Sequence, residues 1–133
     1  MSGDVVVDAS ALVLALVGKE ADATDLRRRI PAMRLHGPHL VDAEVGNVLR
    51  CHEIAGLISS EEAEAAMWAV PTLVRHRYPH DGVLARRAWT LRRNLSYYDA
   101  LYVALASFLD VPLLTADVRL SRAPGLPCQV DIV

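Results

Sequence analysis

Asp4-Val5-Val6-Val7-Asp8-Ala9-Ser10, near the start of the chain, is the stretch that decides the fold. Three consecutive β-branched residues predict a short strand buried on both faces, as strands of parallel sheets are. Asp8 follows directly and lies where this strand ends. A second apolar run, Val111 to Leu114, is followed by Thr115 and Asp117. The sequence therefore predicts two buried strands, each followed closely by an aspartate.

Helical patterns separate these strands. The predicted helices run from about Ser10 to Val17, Asp22 to Ile30, Val41 to Ala55, Asp81 to Arg93, and onward from Ser60 and from Ser96. Shorter strands are predicted at Arg34 to His39 and Gln129 to Val133. Strands that alternate with helices imply a parallel sheet flanked by helices, so the predicted fold class is α/β. With no repeat or linker, we expect one domain over residues 1–133.

Several residues predict where the helices begin and end. Ser59 and Glu62 have the spacing of a capping box, and Gly56 suits the end of the preceding helix. We expect Pro71 to kink or end the helix that the capping box opens. Phe108 is placed on the apolar face of the helix that starts at Ser96.

Composition limits the class of protein. The 133 residues are 53% hydrophobic with a mean hydropathy of +0.23, enough for a real core and for apolar surface that a partner would cover. No apolar stretch approaches the roughly 20 residues of a membrane span. With no signal-peptide pattern at the N-terminus, we expect a cytoplasmic protein without membrane contact. Cys51 and Cys128 lie far apart and are expected to be buried free thiols.

The basic residues are nearly all arginines. Of the 14 basic residues only Lys19 is not an arginine, and the net charge is −2. Clusters occur at residues 27–29, 86–87 and 92–93. Arginine binds phosphate bidentately but also covers solvated helix faces, so both interpretations stay open.

Four acids can meet at one edge of the predicted sheet. Asp8 and Asp117 follow strands, whereas Glu44 and Asp99 lie near helix starts, and both kinds of position occupy the ligand-binding edge of a parallel sheet. Carboxylates without cysteine or histidine suit Mg²⁺ or Mn²⁺, which would relieve their repulsion. Capping is the competing explanation for Asp99 and Asp42, and turn formation for the aspartates after strands.

The motifs around these acids resemble those of PIN domains, and of the VapC toxins among them. The four segments follow in order across nearly the whole chain: Val5-Val-Val-Asp8-Ala-Ser10, Pro38-x-Leu40-x-x-x-Glu44-Val-x-Asn47, Tyr98-Asp99-Ala-Leu-Tyr102, and Leu113-Leu-Thr115-Ala-Asp117-x-Arg119. The resemblance implies a PIN-like three-layer α/β/α sandwich with a short central parallel sheet. It also implies a metal-dependent endoribonuclease toxin that cuts tRNA, rRNA or mRNA.

The resemblance assigns roles to individual positions. Asp8, Glu44, Asp99 and Asp117 match the acids that bind one or two Mg²⁺ or Mn²⁺ ions in the family. Ser10 and Thr115 match hydroxyl positions that support the acids, and Asn47 matches a polar position near the site. Some relatives carry a further acid where Thr115 stands, so the number of metal ions stays open.

The resemblance also implies partners: a VapB-type antitoxin, and a second copy of the chain in a homodimer that becomes a heterotetramer or larger assembly with antitoxin. Arg92, Arg93 and Arg119 lie near Asp99 and Asp117 in the sequence and are the predicted contacts to RNA phosphates.

Three alternatives remain at this point. A PIN nuclease of RNA processing would have no antitoxin, and a PIN-like scaffold would bind RNA or protein without cutting. A phosphoaspartate protein would also place an aspartate after the first strand. Such proteins use a lysine late in the chain, whereas the one lysine here is Lys19.

Overall fold

A central parallel sheet organises the computed structural model, which describes residues 3–133. The strands are β1 (Asp4–Val7), β2 (Arg34–Pro38), β3 (Val74–Tyr78), β4 (Leu113–Thr115) and β5 (Val130–Ile132). Their order is β3-β2-β1-β4-β5, and every neighbouring pair is parallel. The predicted α/β class is therefore confirmed.

Helices cover the sheet on both faces. Residues 3–133 form α1 (Ala9–Val17), α2 (Ala21–Arg29), α3 (Leu40–Ile54), α4 (Ser60–Leu73), α5 (Val83–Trp89), α6 (Tyr97–Leu109) and α7 (Val118–Ser121), with a 3₁₀ turn at Ile30–Ala32. Helices α1, α3 and α4 pack on one another, whereas α6 packs on β1, β2 and α5. These two helical groups make the outer layers of an α/β/α sandwich.

The core lies where the middle strands meet the helices. Val6, Val7, Leu113 and Leu114 are at most 1% exposed, as expected for strands with helices on both sides. Seven consecutive residues of α6, from 100 to 106, are also buried. The ends of β1 and β4 are consequently held by a rigid interior. In the part of the chain that the structure describes, no helix combines the length and the apolarity needed to cross a bilayer.

Helix ends follow the local sequence signals. Ser59 and Glu62 form both hydrogen bonds of the predicted capping box, and Gly56 follows α3 with a positive φ of 76°. Pro71 ends α4 less abruptly than expected, because the helix continues for two residues to Leu73. Helix α5 is shorter than predicted. It runs from Val83 to Trp89, whereas the sequence predicted a helix from Asp81 to Arg93.

Other expectations were wrong. Strand β3 was not predicted: its residues are mostly charged and aromatic, and it lies at the sheet edge, where charged residues are common. Cys51 is exposed and Cys128 is half-buried, so the expectation of buried thiols fails for Cys51. Phe108 is 47% exposed under the guanidinium of Arg87 rather than part of the core.

Candidate active site

Asp8 is held rigidly at the end of β1. It is the N-cap of α1 and only 6% exposed. One carboxylate oxygen accepts hydrogen bonds from the Ser10 hydroxyl at 2.6 Å and the Ala11 N–H at 3.0 Å. The other accepts from the Thr115 hydroxyl at 2.5 Å. Two donors from the first turn of α1 and one from the end of β4 therefore fix the orientation of this carboxylate.

The same hydroxyls tie the end of β4 to the end of β1. The Thr115 oxygen accepts from the Asp117 N–H at 3.0 Å, and the Ser10 oxygen accepts from the Ala116 N–H at 2.9 Å. Asp117 is in turn the N-cap of α7, where its carboxylate accepts from the Arg119 N–H at 2.9 Å. Asp8 and Asp117 are thus linked through one hydrogen-bond network.

Glu44 and Asp99 approach from two helices. Glu44 lies in the second turn of α3 and Asp99 in the first turn of α6, and both are half-buried. The Asp99 N–H donates to the Ser96 hydroxyl at 3.1 Å. Ser96 therefore caps α6 through the backbone N–H of Asp99, and a contact of Ser96 with the Asp99 side chain lowers the pKa of that carboxyl against the larger effect of burial.

Burial and neighbouring charges raise the pKa of three of the four acids. Burial raises the pKa of Asp8, Glu44 and Asp99. The negative charge of Asp117 adds to the increase for Asp8 and Asp99, and the charges of Asp99 and Asp8 add to it for Glu44. Hydrogen bonds from Ser10, Thr115 and the Ala11 backbone oppose the increase at Asp8. The predicted acids therefore lie together at the carboxyl edge of the sheet.

The side chains of the four acids are not arranged around one common point. Within residues 3–133, no group of three or more histidine, cysteine, aspartate or glutamate side chains is arranged to hold a metal ion. Asp42 is separate from the four acids, because it forms an ion pair with Arg77 of β3. It does not cap α3 either, since the N-cap residue is His39.

The other predicted site residues lie around this edge. Asn47 is exposed one turn after Glu44 and lines with it a cavity of about 360 Å³. Arg119 is almost fully exposed, with its Nε 3.8 Å from an Asp117 oxygen. Arg92 and Arg93 lie further along, in the exposed turn between α5 and α6. Of the predicted RNA contacts, only Arg119 contacts one of the acids.

Two tyrosines at the site were not predicted. Tyr98 lines the same cavity as Glu44 and Asn47. Tyr102 is 1% exposed, and its hydroxyl lies beside the Glu44 carboxylate without a well-formed hydrogen bond to any described residue. Its proximity lowers the pKa of Glu44 against the larger effect of burial, and burial raises the pKa of Tyr102 itself. Helical spacing could have identified Tyr102, because a residue three positions after Asp99 on α6 lies on the same side of the helix.

The sequence of the chain is similar to those of known proteins. Residues 5–126 match the PIN domain family. The chain is 53% identical over 128 residues to Ribonuclease VapC1 of Mycobacterium tuberculosis, covering 96% of each chain. It is 41% identical over 129 residues to VapC ribonuclease Mb0985 of Mycobacterium bovis, covering 97% of this chain and 98% of the other.

The fold is also that of a solved toxin–antitoxin structure. The chain matches the crystal structure of VapBC2 from Rickettsia felis bound to a promoter DNA fragment, with a TM-score of 0.69, 12% sequence identity and 98% coverage of both chains. The family match decides against a phosphoaspartate protein. From the PIN match and the level of identity to ribonucleases of this group, the chain belongs to the PIN-domain family and, within it, to the VapC ribonuclease toxins.

Proposed function

We propose that this chain is a Mg²⁺- or Mn²⁺-dependent endoribonuclease whose metal is held by Asp8, Glu44, Asp99 and Asp117. The observation that carries the proposal is the placement of these acids at one edge of the parallel sheet, where β1 and β4 end and α3 and α6 begin. Clustered carboxylates at neutral pH need a neutralising cation, and an all-oxygen donor set is what Mg²⁺ and Mn²⁺ prefer. The residues present therefore fit the ion that the family implies.

The chain's own groups prepare the site for that ion. Ser10 and Thr115 hold the Asp8 carboxylate in one orientation, so it needs little rearrangement. Glu44 and Asp99 are half-buried at the same edge, and the Tyr102 hydroxyl lies beside the Glu44 carboxylate. A divalent cation, when bound, supplies a neutralising charge for in-line attack of water on a phosphodiester.

The surroundings of the acids favour an RNA substrate. Arg119 is exposed beside Asp117, so its guanidinium can meet a phosphate next to the one that is cut. Asn47 offers an amide for hydrogen bonds to the sugar or base from within the Glu44 cavity. These groups suit a polyanion that carries hydrogen-bonding edges, which RNA does.

A VapB-type antitoxin and a second copy of the chain are the proposed protein partners. Large apolar side chains are exposed on the α3–α4 side of the molecule: Ile54 at the end of α3, Leu57 in the loop that follows it, and Trp68 on α4. Exposed apolar surface of this kind is typical of protein interfaces. The structural neighbour from Rickettsia felis is a VapBC2 structure, solved bound to a fragment of promoter DNA, and its name joins VapB with VapC. We expect the antitoxin to abolish cleavage and the free toxin to be a dimer.

The test is cleavage of cellular tRNA, rRNA and mRNA by antitoxin-free protein. Reactions contain Mg²⁺, Mn²⁺ or EDTA, and an Asp99→Asn variant is tested in parallel. We expect cutting with either ion and none with EDTA or the variant. If the folded protein binds Mn²⁺ and cuts none of these RNAs, the chain is a PIN-like scaffold that binds without cutting, and the proposed enzyme is wrong. Cutting in EDTA would show that cleavage does not depend on a divalent metal ion.

A further inference from the structure

Exposed aromatic side chains adjoin the acids at the start of α6. Trp89 ends α5, Tyr97 and Tyr98 begin α6, and these two helices pack together. Trp89 is 58% exposed and Tyr98 is 59% exposed. Large aromatic rings normally bury their faces, so exposure of these two beside a polar site calls for a ligand.

The rings on the α5 side form an ordered cluster. The Tyr97 ring meets the Trp89 indole edge-on, with centroids 6.4 Å apart. The Arg92 guanidinium lies over the indole, 4.6 Å from the ring centroid, and donates a hydrogen bond to the Trp89 carbonyl at 2.8 Å. The aromatic faces are thus held in place next to a positive charge.

Tyr98 points away from Tyr97 at the same helix start. Consecutive residues of a helix point about 100° apart, so Tyr98 diverges from Tyr97. It lines the cavity that contains Glu44 and Asn47. Asp99 follows in the next position, so aromatic rings flank this acid toward both α3 and α5.

We propose that Tyr98 and the Trp89–Tyr97 pair stack unpaired bases of the RNA on the two sides of the phosphate that is cut. The inference rests on the proposed function and names the residues that hold the bases next to the phosphate that is cut. Stacking on aromatic rings beside arginine is the usual way in which proteins hold unpaired bases. A duplex hides the faces of its bases and cannot use these rings.

The charges favour RNA over a protein as the occupant. Arg93 forms no ion pair with any described residue and is available to a phosphate, whereas Arg92 is held over the Trp89 indole and adds positive charge beside the rings. The large exposed apolar residues of α3 and α4, by contrast, have no such arginines interleaved with them in the sequence. The segment from Trp89 to Tyr98 contains three aromatic residues and two arginines, a combination that suits a surface for unpaired bases.

Tryptophan fluorescence tests the stacking directly, because the chain has two tryptophans. The Trp68→Phe variant leaves Trp89 as the reporter, and Trp89→Phe leaves Trp68, which is 71% exposed on α4. Each is titrated in EDTA with a single-stranded RNA oligonucleotide, its duplex, and an abasic strand of equal length. We expect quenching of Trp89 by the single strand alone and none of Trp68.

Cleavage by the same protein separates this inference from the proposed function. We expect Tyr98→Ala and Trp89→Ala each to lower kcat/KM on a single-stranded substrate about tenfold, within the range for loss of one base stack. Tyr98→Phe should retain activity, and Phe108→Ala, which removes another exposed ring near the far end of α6, is the matched control with no loss. If the wild type cuts RNA while both alanine variants are fully active and Trp89 is not quenched, the stacking inference is wrong and the proposed function stands.

Two further results would also be decisive. Quenching of Trp89 without any cleavage would support the platform and reject the nuclease. A change of oligomeric state in Trp89→Ala, seen by light scattering, with unaltered RNA binding would assign the aromatic surface to a protein interface and overturn the inference.

Discussion

Asp8 combines strong restraint with an unfavourable charge, and this makes its substitution informative. Its oxygens accept three hydrogen bonds, yet burial and Asp117 raise its pKa. We expect Asp8→Asn to abolish cleavage and to change the free energy of unfolding in EDTA by less than about 1 kcal/mol. The amide keeps the shape, removes the buried charge, and can donate to the hydroxyl of Ser10 or Thr115 after that hydroxyl turns.

Urea unfolding and cleavage of the same preparation measure both effects. Asp22→Asn, an exposed change on α2, is the control and should cut RNA at the wild-type rate. Full activity of Asp8→Asn would remove this residue from the site.

Thr115 connects two of the acids, so its hydroxyl should matter more than its volume. It is fully buried, donates to Asp8 and accepts from the Asp117 backbone. Thr115→Val keeps the shape but leaves the Asp117 N–H without this acceptor, which should destabilise the protein by about 1–3 kcal/mol. We also expect slower cleavage, with Thr115→Ser restoring most of it. Equal stability and activity in the valine variant would contradict the positioning role.

The positions of the site's acids could be predicted from the sequence, whereas the contacts of the residues around them could not. Asp8 and Asp117 follow apolar runs, which makes their position at strand ends visible without tertiary information. Tyr102 lies within an apolar helix and looks like an ordinary core residue, so its contact with Glu44 was not evident. Asp42 pairs with Arg77 on β3, a strand that the sequence did not reveal.

Among the elements, α3 offers two glycines whose replacement by alanine should have opposite effects. Gly56 follows the helix with φ of 76°, and a Cβ there would touch nothing, so strain of the left-handed backbone acts alone. Gly46 is inside the helix, where a Cβ would make ordinary contact with the flexible Met67 side chain at 3.4 Å. We expect Gly56→Ala to destabilise by about 1 kcal/mol. Gly46→Ala should stabilise by up to about 1 kcal/mol.

Chemical denaturation of the two variants measures whether each substitution lowers or raises the free energy of unfolding. The comparison is internally controlled, because both substitutions add the same methyl group to the same helix region. A loss of stability at Gly46 as large as that at Gly56 would show that packing against Met67, and not backbone conformation, dominates.

The contrast between α4 and β3 shows which elements are visible in a sequence. The start of α4 depends on Ser59 and Glu62, three residues apart, and such local signals can be recognised without the fold. Strand β3 exists because Leu35, His36 and their neighbours offer an edge for pairing, with an irregular register between those two residues. Its own residues carry no apolar alternation, so only the tertiary partner defines it.

At the scale of the whole molecule, the parallel topology is what gathers the acids. Every strand among residues 3–133 runs in the same direction, so the ends of β1 and β4 and the starts of α3 and α6 share one edge. Four carboxylates drawn from the two halves of the chain then repel one another. Their repulsion opposes folding, and its removal by protons or cations should appear in the stability of the entire protein.

The sign of the pH effect follows from the raised pKa values of Asp8, Glu44 and Asp99. In the unfolded chain these groups ionise at their ordinary pKa, about 4, whereas in the folded protein they hold protons to higher pH. The folded state therefore binds more protons between the two values, and stability falls as pH rises through that window. In EDTA, we expect the Tm of the wild type relative to Asp8→Asn to increase as pH is lowered from 7.5 toward 5.

A divalent cation should replace the protons at neutral pH. Binding to the folded state alone stabilises it by RT ln(1 + [L]/Kd), so millimolar Mn²⁺ should raise the Tm at pH 7.5 more than at pH 5, where protons compete for the same oxygens. Differential scanning fluorimetry at constant ionic strength measures this, with Asp99→Asn as the variant that loses the response and K⁺ as the control ion. An equal rise in wild type and variant would mean that Mn²⁺ binds elsewhere on the protein.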